Sequence, residues 1–166
     1  MQTIKLSLCV EDMDLYPRNQ VDSTHVGYIF EAMKSGADMP PIIVESKGFR
    51  IIDGFHRWRA MCKMHGPDAE AEVIVKTYKN KSDMFLDAVK YNASHGRNLS
   101  ENERTRCLIK AEEFKISTLK IAGIMNITMA KVGKMKDTKI AMLKMNDHEE
   151  KVALKRPVVH FAGQTI

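Results

Sequence analysis

In residues 51–60, IIDGFHRWRA, an apolar run stops at a glycine and a cluster of basic side chains follows at once. Few local folds accept that order. Ile51 and Ile52 end a buried strand, and Gly54 takes a backbone that a side chain would obstruct. His56, Arg57 and Arg59 then fall in the opening turns of a helix whose apolar face is Phe55, Trp58, Met61 and Cys62. A helix entered this way aims backbone N–H groups and the positive end of its dipole at the turn, which favours a phosphate. A guanidinium can grip the same phosphate with two parallel hydrogen bonds. An ordinary strand-to-helix connection with solvated arginines has the same spelling, so the pattern alone leaves both readings open. Asp53, just ahead of the glycine, is either a ligand for a metal or a ribose hydroxyl, or the residue that shapes the turn.

The periodicity around this connection predicts a small α+β domain. Residues 3–10 alternate Ile4, Leu6, Leu8 and Val10 on one face, as a strand does. Asp22 opens a helix with Val26, Ile29, Phe30 and Met33 inward, and Gly36 closes it. Pro40 and Pro41 lead into a strand at 42–45, which Ser46, Lys47 and Gly48 turn back into 49–53, a hairpin that delivers Gly54. A further strand is expected at 73–78, then a helix capped by Ser82 that carries Phe85, Leu86, Ala88, Val89 and Asn92. Ser100 and Glu103 spell a capping box for a helix running through Phe114.

Charge separates the two halves of the chain. Residues 1–100 hold 13 Lys+Arg against 13 Asp+Glu, whereas residues 101–166 hold 13 against 8, so the whole excess of +5 is C-terminal. Between residues 115 and 144 seven lysines face the single acid Asp137. Such a face suits a nucleic-acid backbone, although a solvated lysine-rich helix has the same composition. Within residues 116–136 the apolar set Ile121, Ala122, Met125, Ile127 and Val132 has the spacing of two short helices around a turn at Asn126. Asparagine tolerates the left-handed backbone such a turn requires. Ser117 and Thr128 stand as N-caps, and the second helix presents Thr128, Met129, Lys131, Lys134 and Lys136 as DNA-contact candidates. Gly133 weakens that helix, and a packing hairpin is the competing reading.

With 166 residues, 44% hydrophobic and 28% charged, the chain has room for two small domains or one domain with an appendage, and its composition argues against disorder. Cys9, Cys62 and Cys107 are odd in number and far apart, which suggests reduced thiols and a cytoplasmic protein. The N-terminus lacks the apolar stretch of a signal peptide and no run approaches a membrane span, so no membrane partner is expected. Most of the 12 methionines sit at helical spacing and read as core. His56 and His95 have no third ligand at metal spacing, so no zinc is expected.

Residues 54–60 and 91–104, in that order ahead of the basic helical pair, resemble the ParB/sulfiredoxin superfamily, specifically a ParB-like N-terminal domain followed by a helix-turn-helix. The first box of that family runs glycine, one or two polar residues, arginine, a bulky residue, arginine, alanine, and stands here as Gly54, Phe55, His56, Arg57, Trp58, Arg59 and Ala60. The second is an asparagine followed by a basic residue, a leucine and a capped helix, here Asn92, His95, Gly96, Arg97, Leu99 and Ser100. The wording DGFHR and NASHG is similar to the branch that includes the streptomycin-cluster type of regulator.

The resemblance implies an α+β fold: a small mixed sheet with helices over residues 1–98, an all-helical helix-turn-helix region over 99–156, and an extended tail at 157–166. It implies CTP or ATP with Mg2+, held by Asp53, Gly54, His56, Arg57, Arg59, Asn92, His95 and Arg97, with Asn92 reaching the magnesium. Double-stranded DNA is the expected partner, in a regulatory or partition-related role, and a homodimer through the nucleotide domain is one expected assembly. Tyr91 stands where partition proteins carry the glutamate that assists the metal and CTP hydrolysis, so turnover is not implied. Phe55 replaces the cysteine that sulfiredoxin activity requires, and Gly96 sits where the ParB arginine would be, with Arg97 one place later. The alternative is a nucleotide-dependent enzyme of the same superfamily, a phosphotransferase similar to the free-serine kinases or a nuclease, in which Asp53, His56 and Arg57 would be catalytic. An adaptor that has lost both ligands is the third reading.

Overall fold

Four short apolar runs of the N-terminal half pair into one sheet: β1 (Gln2–Lys5), β2 (Ile42–Glu45), β3 (Ile51–Asp53) and β4 (Glu70–Lys76), in the order β1-β4-β2-β3. The computed structural model describes residues 1–94, 98–145, 148–156, 160–161 and 164–165. Its contacts divide into two compact units, residues 1–88 and 89–166. In the first unit β1 runs antiparallel to β4 and β3 antiparallel to β2, while β2 and β4 are parallel, with Ile42 opposite Val73. A parallel pair needs a long crossover. Here β3 and the helix α2 (Phe55–His65) supply it, which places Gly54 at the strand-to-helix turn. Helix α1 (Ser23–Lys34) packs against α2, and both Thr24 and His25 donate backbone N–H groups to the capping carboxylate of Asp22, at 3.0 and 3.2 Å. Ile4, Leu6, Ile42, Val44, Ile51, Phe55 and Val73 form the core, with Trp58, Met61 and Cys62 packed on it. The buried carboxylate of Glu45 organises the β2–β3 turn, accepting from the backbone N–H groups of Lys47 and Gly48 and from Arg50.

Two local expectations are corrected here. The first strand ends at Lys5, because β4 begins at Glu70 and offers no partner beyond it. Leu6–Leu8 instead tighten into a 3-10 turn whose Leu6 and Ser7 N–H groups bond the carbonyls of Ala69 and Pro67, leaving Leu8 and Val10 exposed. Helix α3 (Lys81–Ser94) begins one residue after Asn80, whose side chain accepts from the Asp83 N–H at 2.9 Å, so Asn80 is the cap and Ser82 lies inside the first turn.

The second unit contains α4 (Glu101–Glu113), α5 (Thr118–Ile124) and α6 (Met129–Lys139). The capping box of Ser100 and Glu103 is present, and Ser117 and Thr128 cap α5 and α6. Asn126 takes the left-handed conformation, φ 52°, in the turn between these two helices. Ile121, Ala122, Met125 and Val132 are buried, whereas Ile127 is half-buried. The region 99–156 is not all helical as expected. After α6 the chain forms an antiparallel hairpin of β5 (Ile140–Met145) and β6 (His148–Ala153), and β6 packs on α4. In the expected tail, β7 (His160–Phe161) pairs with β8 (Gln164–Thr165). Among the described residues no helix is long and apolar enough to cross a membrane.

Candidate functional site

Gly54 has φ 102° and ψ 21°, a left-handed backbone that turns the end of β3 directly into α2. The first helical hydrogen bond runs from the Trp58 N–H to the Gly54 carbonyl, at 2.8 Å, and Gly54 provides no side-chain cap. The N–H groups ahead of that bond are the ones that a phosphate satisfies in such turns. Arg57 folds back over the glycine: a Cβ built there would meet Arg57 Nη2 at 3.0 Å and Nε at 3.2 Å. Absence of a side chain at 54 therefore serves both the backbone and the guanidinium. Asp53 accepts a hydrogen bond from Arg57 Nη2 at 2.7 Å, so the aspartate orients the arginine across the turn.

The neighbouring basic groups are also held by named partners. Arg59 makes a two-toothed ion pair with Glu11, Nε and Nη2 donating at 2.7 and 2.9 Å, and these hydrogen bonds raise its already high pKa. His56 Nε2 accepts from the backbone N–H of Asp22 at 3.2 Å, with the Tyr16 hydroxyl 3.5 Å away and the His25 ring edge-on at 4.8 Å. His56 thus ties the start of α2 to the start of α1. Lys81, at the start of α3, reaches Asp12 and Asp14, both at 3.0 Å. Burial lowers its pKa, but the hydrogen bonds to the two aspartates outweigh that and raise it. Arg50 contacts Asp12 and Glu45. The segment 11–14 is therefore an acidic strap onto Arg50, Arg59 and Lys81, a feature the sequence reading missed. Its only sequence signal was the spelling EDMD, which does not say which cations it will meet. Burial beside Cys62 pushes the Cys9 thiol up to about 11, so it stays protonated near neutral pH.

Asn92 lies on α3 within the second unit, half-buried, and His95 and Arg97 lie outside the described residues. Among the described residues no three His, Cys, Asp or Glu side chains are grouped to hold a metal ion.

In the second unit Lys120, Lys131 and Lys134 are exposed, and Met129 is 48% exposed. Thr128 uses its hydroxyl to accept from the Lys131 N–H at 3.2 Å. Lys136 differs from its neighbours: its amino group donates to Glu112 on α4, which also receives Lys151 from β6. These two hydrogen bonds hold the Glu112 carboxyl below its ordinary pKa. Lys139 is buried and reaches the Lys155 carbonyl and Glu101, at 3.2 and 3.4 Å. The lysine-rich segment thus divides into outward cations and cations that bind the unit together.

A family model described as the ParB N-terminal domain matches residues 2–90, more than half of the chain. The chain belongs to the ParB N-terminal domain family. Among relatives of this ParB-like chain, a Streptomyces griseus protein described as a possible regulatory protein of the streptomycin biosynthesis operon is 39% identical over 80 residues, 48% of this chain and 22% of that protein. The transcriptional regulator NovG of Streptomyces niveus is 37% identical over 68 residues, 40% of this chain and 20% of that one. The chain therefore spans about a fifth of the length of these relatives. Among solved structures, C-terminally truncated ParB from Caulobacter crescentus in complex with the centromeric parS site matches with a TM-score of 0.53 at 16% identity, over 81% of this chain and 69% of that one. A pNOB8-like ParB N-domain matches with a TM-score of 0.52 at 14% identity, over 92% and 56%. At such identity the likeness establishes the shared α+β fold.

Proposed function

We propose that this ParB-like chain is a DNA-binding protein of regulatory or partition type whose N-terminal unit binds a nucleoside triphosphate, CTP or ATP. The observation that carries the nucleotide reading is the left-handed, side-chain-free turn at Gly54, opening α2 without a cap and with the Arg57 guanidinium lying over it. Such a cradle presents backbone N–H groups and a bidentate donor to one phosphate, and a Cβ would fill it. Arg57 and Arg59 would exchange their carboxylate partners, Asp53 and Glu11, for phosphate oxygens. His56 acts through the α1–α2 tie rather than as a direct phosphate ligand.

The DNA reading rests on the second unit, with 99–156 as the binding region and α5–α6 as a helix-turn-helix. Met129, Lys131 and Lys134 on α6 face solvent, and the regulator relatives and the parS-bound ParB give the reading its context. Lys136 supports the region from within through Glu112. The enzyme alternative is less well served, since Asp53, His56 and Arg57 each hold a structural partner and Tyr91 occupies the position of the hydrolytic glutamate. The test is binding of labelled CTP and ATP with Mg2+ to the purified protein and to Arg57→Ala. Loss of one charge-assisted contact of about 1.5–3 kcal/mol should weaken binding roughly 10- to 100-fold. Equal affinity in the two proteins would remove Arg57 from the site.

A further inference from the structure

We infer that β5 is a dimerisation strand, which pairs antiparallel with β5 of a second copy about a two-fold axis at Met142. Among the described residues β5 is hydrogen-bonded on one edge only, to β6. A free strand edge is normally blunted by proline, a bulge or several charges. None of these protects β5: its sequence is IAMLKM, its register with β6 is unbroken, and Lys144 is its one charge. Met142 and Leu143 are 56% and 46% exposed, one on each face of the strand, so apolar surface flanks the open edge above and below.

The register follows from which backbone groups point outward. The Leu154 N–H donates to the Lys139 carbonyl at 2.8 Å, which makes 139 and 154 a hydrogen-bonded pair facing each other. Pairing groups alternate along an antiparallel ladder, so Ala141 and Leu143 also face β6, and Ile140, Met142 and Lys144 turn their N–H and C=O groups to the open edge. Two copies use all three outward residues only when Met142 meets Met142 of the second copy and Ile140 meets Lys144. That register sets Leu143 beside Ala141 on the opposite face and keeps the two Lys144 ammonium groups apart. The edge is therefore complementary to itself in hydrogen bonding, and the register sets each Lys144 opposite Ile140 and away from the other Lys144, which is why a second copy is the occupant. A strand of six residues buries less than the interface of a permanent dimer, so the association is weak, with a dissociation constant on the order of 0.1–1 mM. The pairing does not depend on the DNA-binding reading.

Sedimentation equilibrium on the full chain, from about 10 µM to about 1 mM, tests this across the expected range. The weight-average mass should climb above 18.9 kDa with concentration. Met142→Lys and Met142→Glu, each placing like charges face to face on the axis, should stay at 18.9 kDa when alone and regain the dimer when mixed in equal amounts. Recovery on mixing also shows that neither variant is misfolded. A wild-type chain that is monomeric at every concentration would leave this edge to another protein and overturn the proposal. So would a dimer that survives either single variant, or a mixture that fails to regain it.

Discussion

Replacing Gly54 by alanine separates the two demands placed on that position. An L-residue in left-handed backbone costs about 1–2 kcal/mol, and φ 102° lies well beyond the centre of the left-handed basin. The new methyl would also meet Arg57 Nη2 at 3.0 Å and Nε at 3.2 Å, contacts tight enough to shift the guanidinium by a few tenths of an ångström against Asp53. A loss of about 2–3 kcal/mol is expected. Gly66→Ala is the control for function: it caps the other end of the same helix at φ 84° and ψ 162°, a conformation also closed to an L-residue, and nothing lies within 4 Å of the added Cβ. Urea denaturation should show both variants destabilised, while nucleotide affinity falls only in Gly54→Ala. The reasoning fails if Gly54→Ala binds nucleotide as the wild type does.

Glu112 gives a pH dependence whose sign can be worked out. Its pKa is lowered in the folded protein by Lys136 and Lys151, so its stabilising effect is present above the unfolded value, about 4.3, and is lost as pH falls through the folded one. Glu112→Gln should therefore lower the urea midpoint at pH 7 but match the wild type at low pH; a gap that persists there would contradict the ion-pair account. Lys131→Ala and Lys134→Ala should each make the salt dependence of DNA binding shallower by about one in log–log slope. Lys136→Ala should mainly reduce stability, and an equal slope change in all three would show that Lys136 leaves Glu112 for DNA. Trp58→Phe removes the indole hydrogen bond to the Leu6 carbonyl, 2.9 Å long, and should cost about 0.5–1.5 kcal/mol in a denaturant titration.

The features legible in the sequence are those decided within a few residues. Asp22, Ser100, Ser117 and Thr128 cap the helices that their spelling announces, because each closes a hydrogen bond to a near neighbour. Gly54, having no side chain, and Asn126, having a short polar one, take the left-handed angles that suit them. Where the structure departs, the decision was made at a distance. Leu8 alternates like a strand residue but pairs with no strand, Val10 makes only an isolated parallel bridge to Arg50, and β5 and β6 exist because they pair with each other. The candidate cations show the same division: Arg57 meets Asp53 one helical turn away, whereas Arg59 meets Glu11 and Lys136 meets Glu112 through the tertiary fold. No local pattern distinguishes Lys134, which stays in solvent, from Lys136, which does not.

The most direct test of the central claim is the affinity of the purified chain for labelled CTP and ATP, measured with Mg2+ in the presence and absence of duplex DNA. We propose further that the nucleotide biases DNA binding; coupling between sites is reciprocal, so its own affinity must then be changed by DNA by the same factor. The account predicts binding that Arg57→Ala weakens and that DNA shifts severalfold. Salt-sensitive DNA binding with no nucleotide bound, or nucleotide affinity indifferent to saturating DNA, would contradict it.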